Sequence, residues 1–164
     1  MQISIVYFSV SGYTDTTAKQ IAKGIEAVSS SIKVNLYNIK DTAVDLDALK
    51  ASSAVIFGSP TYMGNVCSDI MKWIETKDNC ACLNGKLGAS FATAKFQQGG
   101  ADVAIGVINN FMLVAGMLVY SGGTTQKPFT HFGAVALNDC PDVNAPQAKG
   151  FGERIAKKAM ELFD

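Results

Sequence analysis

An excess of charge of either sign is the first thing this chain lacks. Its 164 residues carry 14 Lys and Arg against 14 Asp and Glu. No basic run breaks the balance, so the attraction to a phosphate backbone that drives nucleic-acid binding has no source here. Long apolar runs are missing too, and the longest fall far short of the roughly 20 residues that cross a bilayer. The first strand begins at Gln2, leaving no room for a signal peptide, so a cytoplasmic chain with no membrane or nucleic-acid partner is expected. Cysteine is scarce. Cys67, Cys80, Cys82 and Cys140 contain no C-x-x-C pair, and Cys80-Ala81-Cys82 has neither the spacer nor the second pair of a zinc site. Reduced thiols and no metal are expected. Histidine occurs once, at His131 in a long loop, and no catalytic residue is assigned.

What is present is 48% hydrophobic content without a linker, which fits one domain over residues 1–164. Gln2 to Phe8 is a nearly continuous apolar run, as in a strand buried on both faces of a parallel sheet. Ala18, Ile21, Ala22, Ile25 and Val28 then recur at helical spacing. Ile32 to Leu36 alternates like an edge strand, and Asp45 to Leu49 reads as a short helix. Ala54 to Phe57 is the next buried strand, ended by Gly58-Ser59-Pro60, with a helical stripe at Val66, Ile70, Trp73 and Ile74. Leu87 to Ala92 is a fourth strand and Ala104 to Ala115 a helix. Met117 to Tyr120 is a fifth strand, and about two dozen residues without clear period follow. Asn144 caps a last helix, with Gln147 reaching back. Five strands alternating with helices give an α/β three-layer sandwich around a five-stranded parallel sheet, order 2-1-3-4-5, with ligands at the carboxyl edge.

Three loops reach that edge. Ser9, Val10, Ser11, Gly12, Tyr13 and Thr14 combine hydroxyls with a glycine and a helix N-terminus, a place receptive to a phosphate. They also make an ordinary helix-capping turn. No Lys or Arg stands among them and the nucleotide fingerprints GxxxxGK and GxGxxG fail, which suits a phosphomonoester rather than a triphosphate. Ser59, Pro60, Thr61, Tyr62, Met63, Gly64 and Asn65 combine a stiff turn with an aromatic ring and a sulfur, apt for a planar heterocycle. Thr93, Ala94, Lys95, Phe96, Gln97, Gly99 and Gly100 add a second aromatic ring and two glycines.

These segments together resemble the flavodoxin-like superfamily. Ser9-x-Ser11-Gly12-x-Thr14 is similar to its phosphate loop. "GSPTYMGN", residues 58–65, and "HFGAVAL", residues 131–137, are similar to segments of the NAD(P)H:quinone oxidoreductases that resemble the tryptophan-repressor-binding protein. The resemblance implies FMN as cofactor, held by the three loops. It implies as partners NAD(P)H and a small-molecule acceptor, or a redox partner protein, with homo-oligomers known on this fold. Where those enzymes run through glycines, this chain has Lys95, Phe96, Gln97 and Gln98. A receiver domain would need acids at the ends of strands one and three, and a low-molecular-weight tyrosine phosphatase a Cys and an Arg in the first loop. None is present.

Two readings of the flavin remain. The neutral chain, the acid-free loops and Lys95 favour two-electron hydride chemistry, hence an FMN-dependent NAD(P)H oxidoreductase over a flavodoxin-type electron carrier. The first loop is also expected to close around a terminal phosphate, which selects FMN over FAD.

Overall fold

The computed structural model describes residues 1–164. Its sheet is built on β1 (Gln2–Tyr7), flanked by β2 (Lys33–Asn38) and by the central strand β3 (Ala54–Tyr62), with β5 (Leu87–Ala94) beyond β3, all parallel. A two-residue arm, β4 (Asn65–Val66), folds back on β3. The far edge is shared by β6 (Leu118–Val119) and β7 (Ala134–Leu137), each parallel to a different part of β5. The five main strands thus run in the expected order 2-1-3-4-5.

The alternation of side chains sorts the core into two layers. Ile3, Ile5, Tyr7, Ile56 and Phe91 face α1 (Tyr13–Val28) and α6 (Pro141–Phe163). Val6, Val55, Phe57 and Ala92 face α3 (Ser68–Ile74) and α5 (Ala101–Val114). Two short helices, α2 (Leu46–Ala51) and α4 (Lys77–Ala81), lie in the connections. Asp45 caps α2, its carboxylate accepting from the N–H groups of Asp47 and Ala48. On the first layer, α1 and α6 touch backbone to backbone. A Cβ at Gly24 would stand 2.0 Å from the Lys149 carbonyl oxygen and one at Gly152 2.1 Å from that of Ile21.

Four expectations are corrected. The third strand does not end at Gly58 but runs through Pro60 to Tyr62, and Pro60 pairs in register with Thr93. Val66 belongs to β4, not to the helical stripe. The fifth strand is split: the aperiodic segment contains β7, and residues 120–133 bulge out between the two pieces. The buried Arg154 guanidinium of α6 holds that bulge, donating to the carbonyls of Gly122 (2.9 Å) and Pro128 and to the Thr130 hydroxyl (3.2 Å). Lastly, α6 starts at Pro141, whose fixed φ suits a first helical position. Asn144 instead bonds both backbone groups of Leu137, accepting from its N–H at 3.1 Å and donating to its carbonyl, and so covers the sheet edge.

Candidate flavin site

The first loop is built from behind. Asn38, the last residue of β2, accepts from the Ser9 N–H at 2.9 Å and donates to the Ser9 carbonyl at 3.1 Å. The Ser9 hydroxyl accepts from the Asp15 N–H at 3.2 Å and so caps α1. Gly12 enters the helix at φ 92°, and a Cβ placed there would meet nothing within 4 Å. Open space therefore lies over the turn, facing the N–H groups that a helix start leaves without partners. Ser11, Val10 and Tyr13 are exposed around it. Beneath, the buried Tyr7 hydroxyl donates to Asp15 at 2.6 Å, and Lys19 pairs with the same carboxylate at 2.7 Å. Burial alone would raise the Asp15 pKa; the hydrogen bonds from Lys19 and Tyr7 outweigh it and hold the carboxyl below its ordinary value. Burial first, and then Asp15, push the Tyr7 phenol well above its own.

The second loop is a tight hairpin. Thr61 pairs with Val66 and Tyr62 with Asn65, leaving Met63 and Gly64 as the turn. Their φ values are 50° and 72°. Two positive φ angles give the twist that hairpins favour, a turn usually made by Asn-Gly. Here a methionine holds the left-handed position with its side chain fully in solvent. Ser59 is buried, its hydroxyl accepting from the Cys67 N–H at 3.0 Å and donating to the Pro60 carbonyl at 2.7 Å, so its service is to fix the turn. The Thr61 hydroxyl oxygen is buried without any partner.

The third loop completes the enclosure. Thr93 and Ala94 are buried at the end of β5, and Lys95, Phe96 and Gln97 are exposed. The Lys95 ammonium lies over the Phe96 ring, 5.4 Å from its centroid. Gly99 donates to the Phe96 carbonyl at 2.9 Å. Gly100 opens α5 at φ 84°, and a Cβ there would come within 2.7 Å of the Gly64 carbonyl oxygen. Loops two and three therefore touch through glycine backbone. Loops one and three are tied by the Thr14 and Thr93 hydroxyls, 2.9 Å apart and both buried. All the residues nominated from sequence thus gather at one edge. Ser9, Thr14, Ser59, Pro60, Thr93 and Ala94 make its floor; Val10, Ser11, Tyr13, Tyr62, Met63, Asn65, Lys95, Phe96 and Gln97 make its exposed walls.

The surroundings were harder to foresee. Asn38 was missed because nothing in β2 distinguishes it. The Tyr62 phenol is pushed above its ordinary pKa by burial first, then by Cys67 and by Asp69 in the first turn of α3. A carboxylate thus lies near loops that contain none. The first loop is not closed either: Ser11, Gly12 and Tyr13 form the rim of a cleft of about 530 Å³ between α1 and α6. His131 stands elsewhere, in a smaller groove with Phe129, Phe132 and Asp102.

A flavin mononucleotide fits this arrangement. The neutral hydroxyl and N–H donors, with open space over Gly12, suit a phosphate. The orphaned Thr61 hydroxyl supplies a donor for a polar group laid across the strand ends, and the exposed aromatic and thioether groups of loops two and three suit a ring. Comparison with known proteins agrees. The family model described as a flavodoxin domain matches residues 4–121. A protein named flavodoxin from Clostridium saccharobutylicum is 43% identical over 164 residues, covering 99% of this chain and all of its own. A NAD(P)H dehydrogenase (quinone) from Azorhizobium caulinodans is 23% identical, and that alignment stretches over 203 positions, covering 99% of this chain and 98% of the enzyme. Among solved structures, a flavodoxin from the domain Archaea superposes with TM-score 0.77 at 27% identity, covering 98% of this chain and 99% of that one.

Proposed function

Because the chain belongs to the flavodoxin family, whose cofactor is FMN, we propose that it is an electron-transfer flavoprotein that serves redox partner proteins and has no substrate reaction of its own. One observation carries the reading. Tyr62, Met63 and Phe96, the groups suited to cover a flavin ring, stand outward at 47%, 102% and 64% exposure, which supports a ring whose edge would be open to an approaching protein surface. The end-to-end relationship to a flavodoxin supports the same reading, whereas the alignment to the quinone enzyme runs well beyond the 164 residues of this chain.

Bound FMN supplies the electron-carrying ring. The protein binds, orients and shields it. The Ser11 and Thr14 hydroxyls and the N–H groups at the start of α1 would hold the phosphate, and the Thr61 hydroxyl would reach a polar group of the ribityl chain or ring. Met63 and Tyr62 on one side and Phe96 on the other would exclude water from the ring faces. Asp69 opposes the build-up of negative charge between them, and Lys95 favours it. The acid-free loops that favoured hydride chemistry on sequence are therefore not acid-free in space.

Lys95 and the distant relationship to NAD(P)H dehydrogenases support a second reading, an FMN-dependent NAD(P)H oxidoreductase acting on a quinone or similar acceptor. Anaerobic reduction separates the two. A carrier is reduced by dithionite but only slowly by NADH or NADPH, and its potentiometric titration resolves two separate one-electron steps. Rapid reduction by NADH or NADPH with turnover on a quinone would overturn the carrier reading.

A further inference from the structure

We propose that Met63 is a redox modification site: hydrogen peroxide converts its thioether to the sulfoxide ahead of every other sulfur in the chain, and the change weakens the hold on FMN. The second half rests on the flavin reading; the first does not. The chain holds six methionines and four cysteines, and burial ranks them. Met112 and Met117 are buried, the Met112 sulfur so close to the sheet that a Cβ at Gly88 would stand 2.7 Å from it. Met1, Met71 and Met160 are half-buried and pack against the two core layers. Cys67 is buried, and Cys80, Cys82 and Cys140 are half-buried. The Cys80 and Cys82 thiols donate to the carbonyls of Ile74 and Asn79. Burial pushes both thiols up in pKa, which depletes the thiolate that reacts with peroxide. A thioether needs no deprotonation, so access decides its reactivity. Only Met63 stands wholly in solvent.

The turn presents this sulfur without using it. Met63 and Gly64 link Tyr62 to Asn65, and Gly64 is braced by Gly100 at the start of α5, where no Cβ fits. The backbone of the turn is therefore fixed between the second and third loops, while the Met63 side chain packs against nothing in the fold. An oxygen on Met112 or Met117 would put a polar group into the core and cost stability. An oxygen on Met63 leaves the folded chain intact and changes only what the turn offers a ligand. In the reaction a sulfur lone pair attacks one peroxide oxygen and the O–O bond breaks. That oxygen stays on sulfur, the other leaves as water with both protons, and sulfur gives up the two electrons that peroxide gains. The product is polar and chiral where the thioether was apolar and flexible. Laid against a flavin ring, it must shed part of the water that solvates its oxygen, so affinity falls by about tenfold. A dithiol-dependent sulfoxide reductase restores the thioether, its two thiols becoming a disulfide, which makes the site a reversible switch.

Peptide mass mapping and flavin titration test it. The free protein is treated with limiting hydrogen peroxide beside Met63→Leu, which keeps an apolar side chain but has no sulfur there, and each is compared with its own untreated sample. Oxygen is expected on the Met63 peptide at a dose that leaves the other five methionines and the four cysteines at least about tenfold less modified, with urea unfolding unchanged. FMN affinity, read by quenching of flavin fluorescence, should then fall about tenfold in wild type and stay within about twofold of its untreated value in Met63→Leu. Treating the oxidised wild type with methionine sulfoxide reductases of both epimer specificities should return the affinity. Oxygen arriving first or equally on another sulfur overturns the proposal. So does a Met63 sulfoxide that binds FMN as the thioether does, or an equal loss in Met63→Leu. Untreated wild type that fails to bind FMN at all is a different result: the flavin reading falls, and the switch with it.

Discussion

Replacing Asn38 with Ala tests the phosphate turn from behind, without touching any atom that a ligand would reach. The Asn38 carboxamide clamps Ser9 with two bonds, accepting from the Ser9 N–H at 2.9 Å and donating to the Ser9 carbonyl at 3.1 Å, beside weaker or exposed bonds to the Asp41 carboxylate and from the Lys40 N–H. Alanine removes both and leaves the Ser9 N–H without its partner. A hydrogen bond of this kind contributes about 0.5–1.5 kcal/mol net, so the pair is worth about 1–3 kcal/mol. Part of that is lost as stability of the free protein. The rest appears only on binding, when the slackened turn must be ordered again around the phosphate. If about 1.4 kcal/mol falls on the binding step, FMN affinity drops about tenfold. Quenching of flavin fluorescence during titration gives the affinity, and urea unfolding of the free protein gives the stability. Riboflavin, which has no phosphate, separates turn geometry from general damage and should bind Asn38→Ala almost as well as wild type. Parallel losses for riboflavin and FMN would refute the reasoning, as would unchanged FMN affinity in a protein that has lost the expected stability.

Ser11→Ala removes a hydroxyl expected to bond a dianion and should weaken FMN by about 1.5–3 kcal/mol, roughly ten- to a hundredfold, with riboflavin unaffected in the same titration. Met63→Gly relieves a left-handed residue that costs about 1–2 kcal/mol. Part of that gain is offset by the added freedom of glycine in the unfolded chain, so the free protein should gain at most about 1 kcal/mol in urea while flavin binding weakens for want of the thioether. Gly152→Ala drives a Cβ to 2.1 Å from the Ile21 carbonyl oxygen, so α1 and α6 must part; a loss of about 1–3 kcal/mol or more is expected in the same measurement. Because the folded Asp15 carboxyl lies below its ordinary pKa, its contribution is present above about pH 4 and is lost as pH falls through the folded value. The stability advantage of wild type over Asp15→Asn should therefore shrink in acid, and an advantage constant from pH 7 to pH 2 would contradict the Tyr7–Asp15–Lys19 arrangement.

The strands that were legible in the sequence are those buried on both faces. Ile3 to Tyr7, broken only by Ser4, and Ala54 to Phe57 read as apolar runs because helices cover the sheet on each side. The far edge was not legible for the opposite reason. β6 and β7 are short and half exposed, and what holds the bulge between them is one arginine donating to carbonyls, an arrangement with no signature in composition. Pro60 misled because a proline after Gly-Ser usually ends a strand; here β3 continues past it into the hairpin. Asn144 misled because a side chain that suits a helix cap suits a bare strand edge equally well, and α6 begins three residues earlier, at Pro141 after Cys140, with no side-chain cap. The three loops proposed to hold the flavin were legible one by one as candidates from their hydroxyls, aromatics and glycines. What joins the loops was not, since the contact of Gly64 with Gly100 and the bond of Thr14 to Thr93 depend on strand order and register together.

Net charge says little about the charge at this edge, for a physical reason. Each of the six helices carries an aspartate in its first turn: Asp15, Asp47, Asp69, Asp78, Asp102 and Asp142. An acid there is favoured by the positive end of the helix dipole, whatever the function of the protein. In a parallel sheet the covering helices run opposite to the strands, so α1, α3, α5 and α6 all start at the carboxyl edge. Their aspartates therefore collect where the ligand loops are, while the compensating lysines lie elsewhere on the chain. Asp15 is neutralised by Lys19, but Asp69, Asp102 and Asp142 are left around the edge against the lone Lys95 of the loops. On the proposed carrier reading, a chain with 14 charges of each sign would thus offer carboxylates near the flavin edge to a protein partner with a basic face.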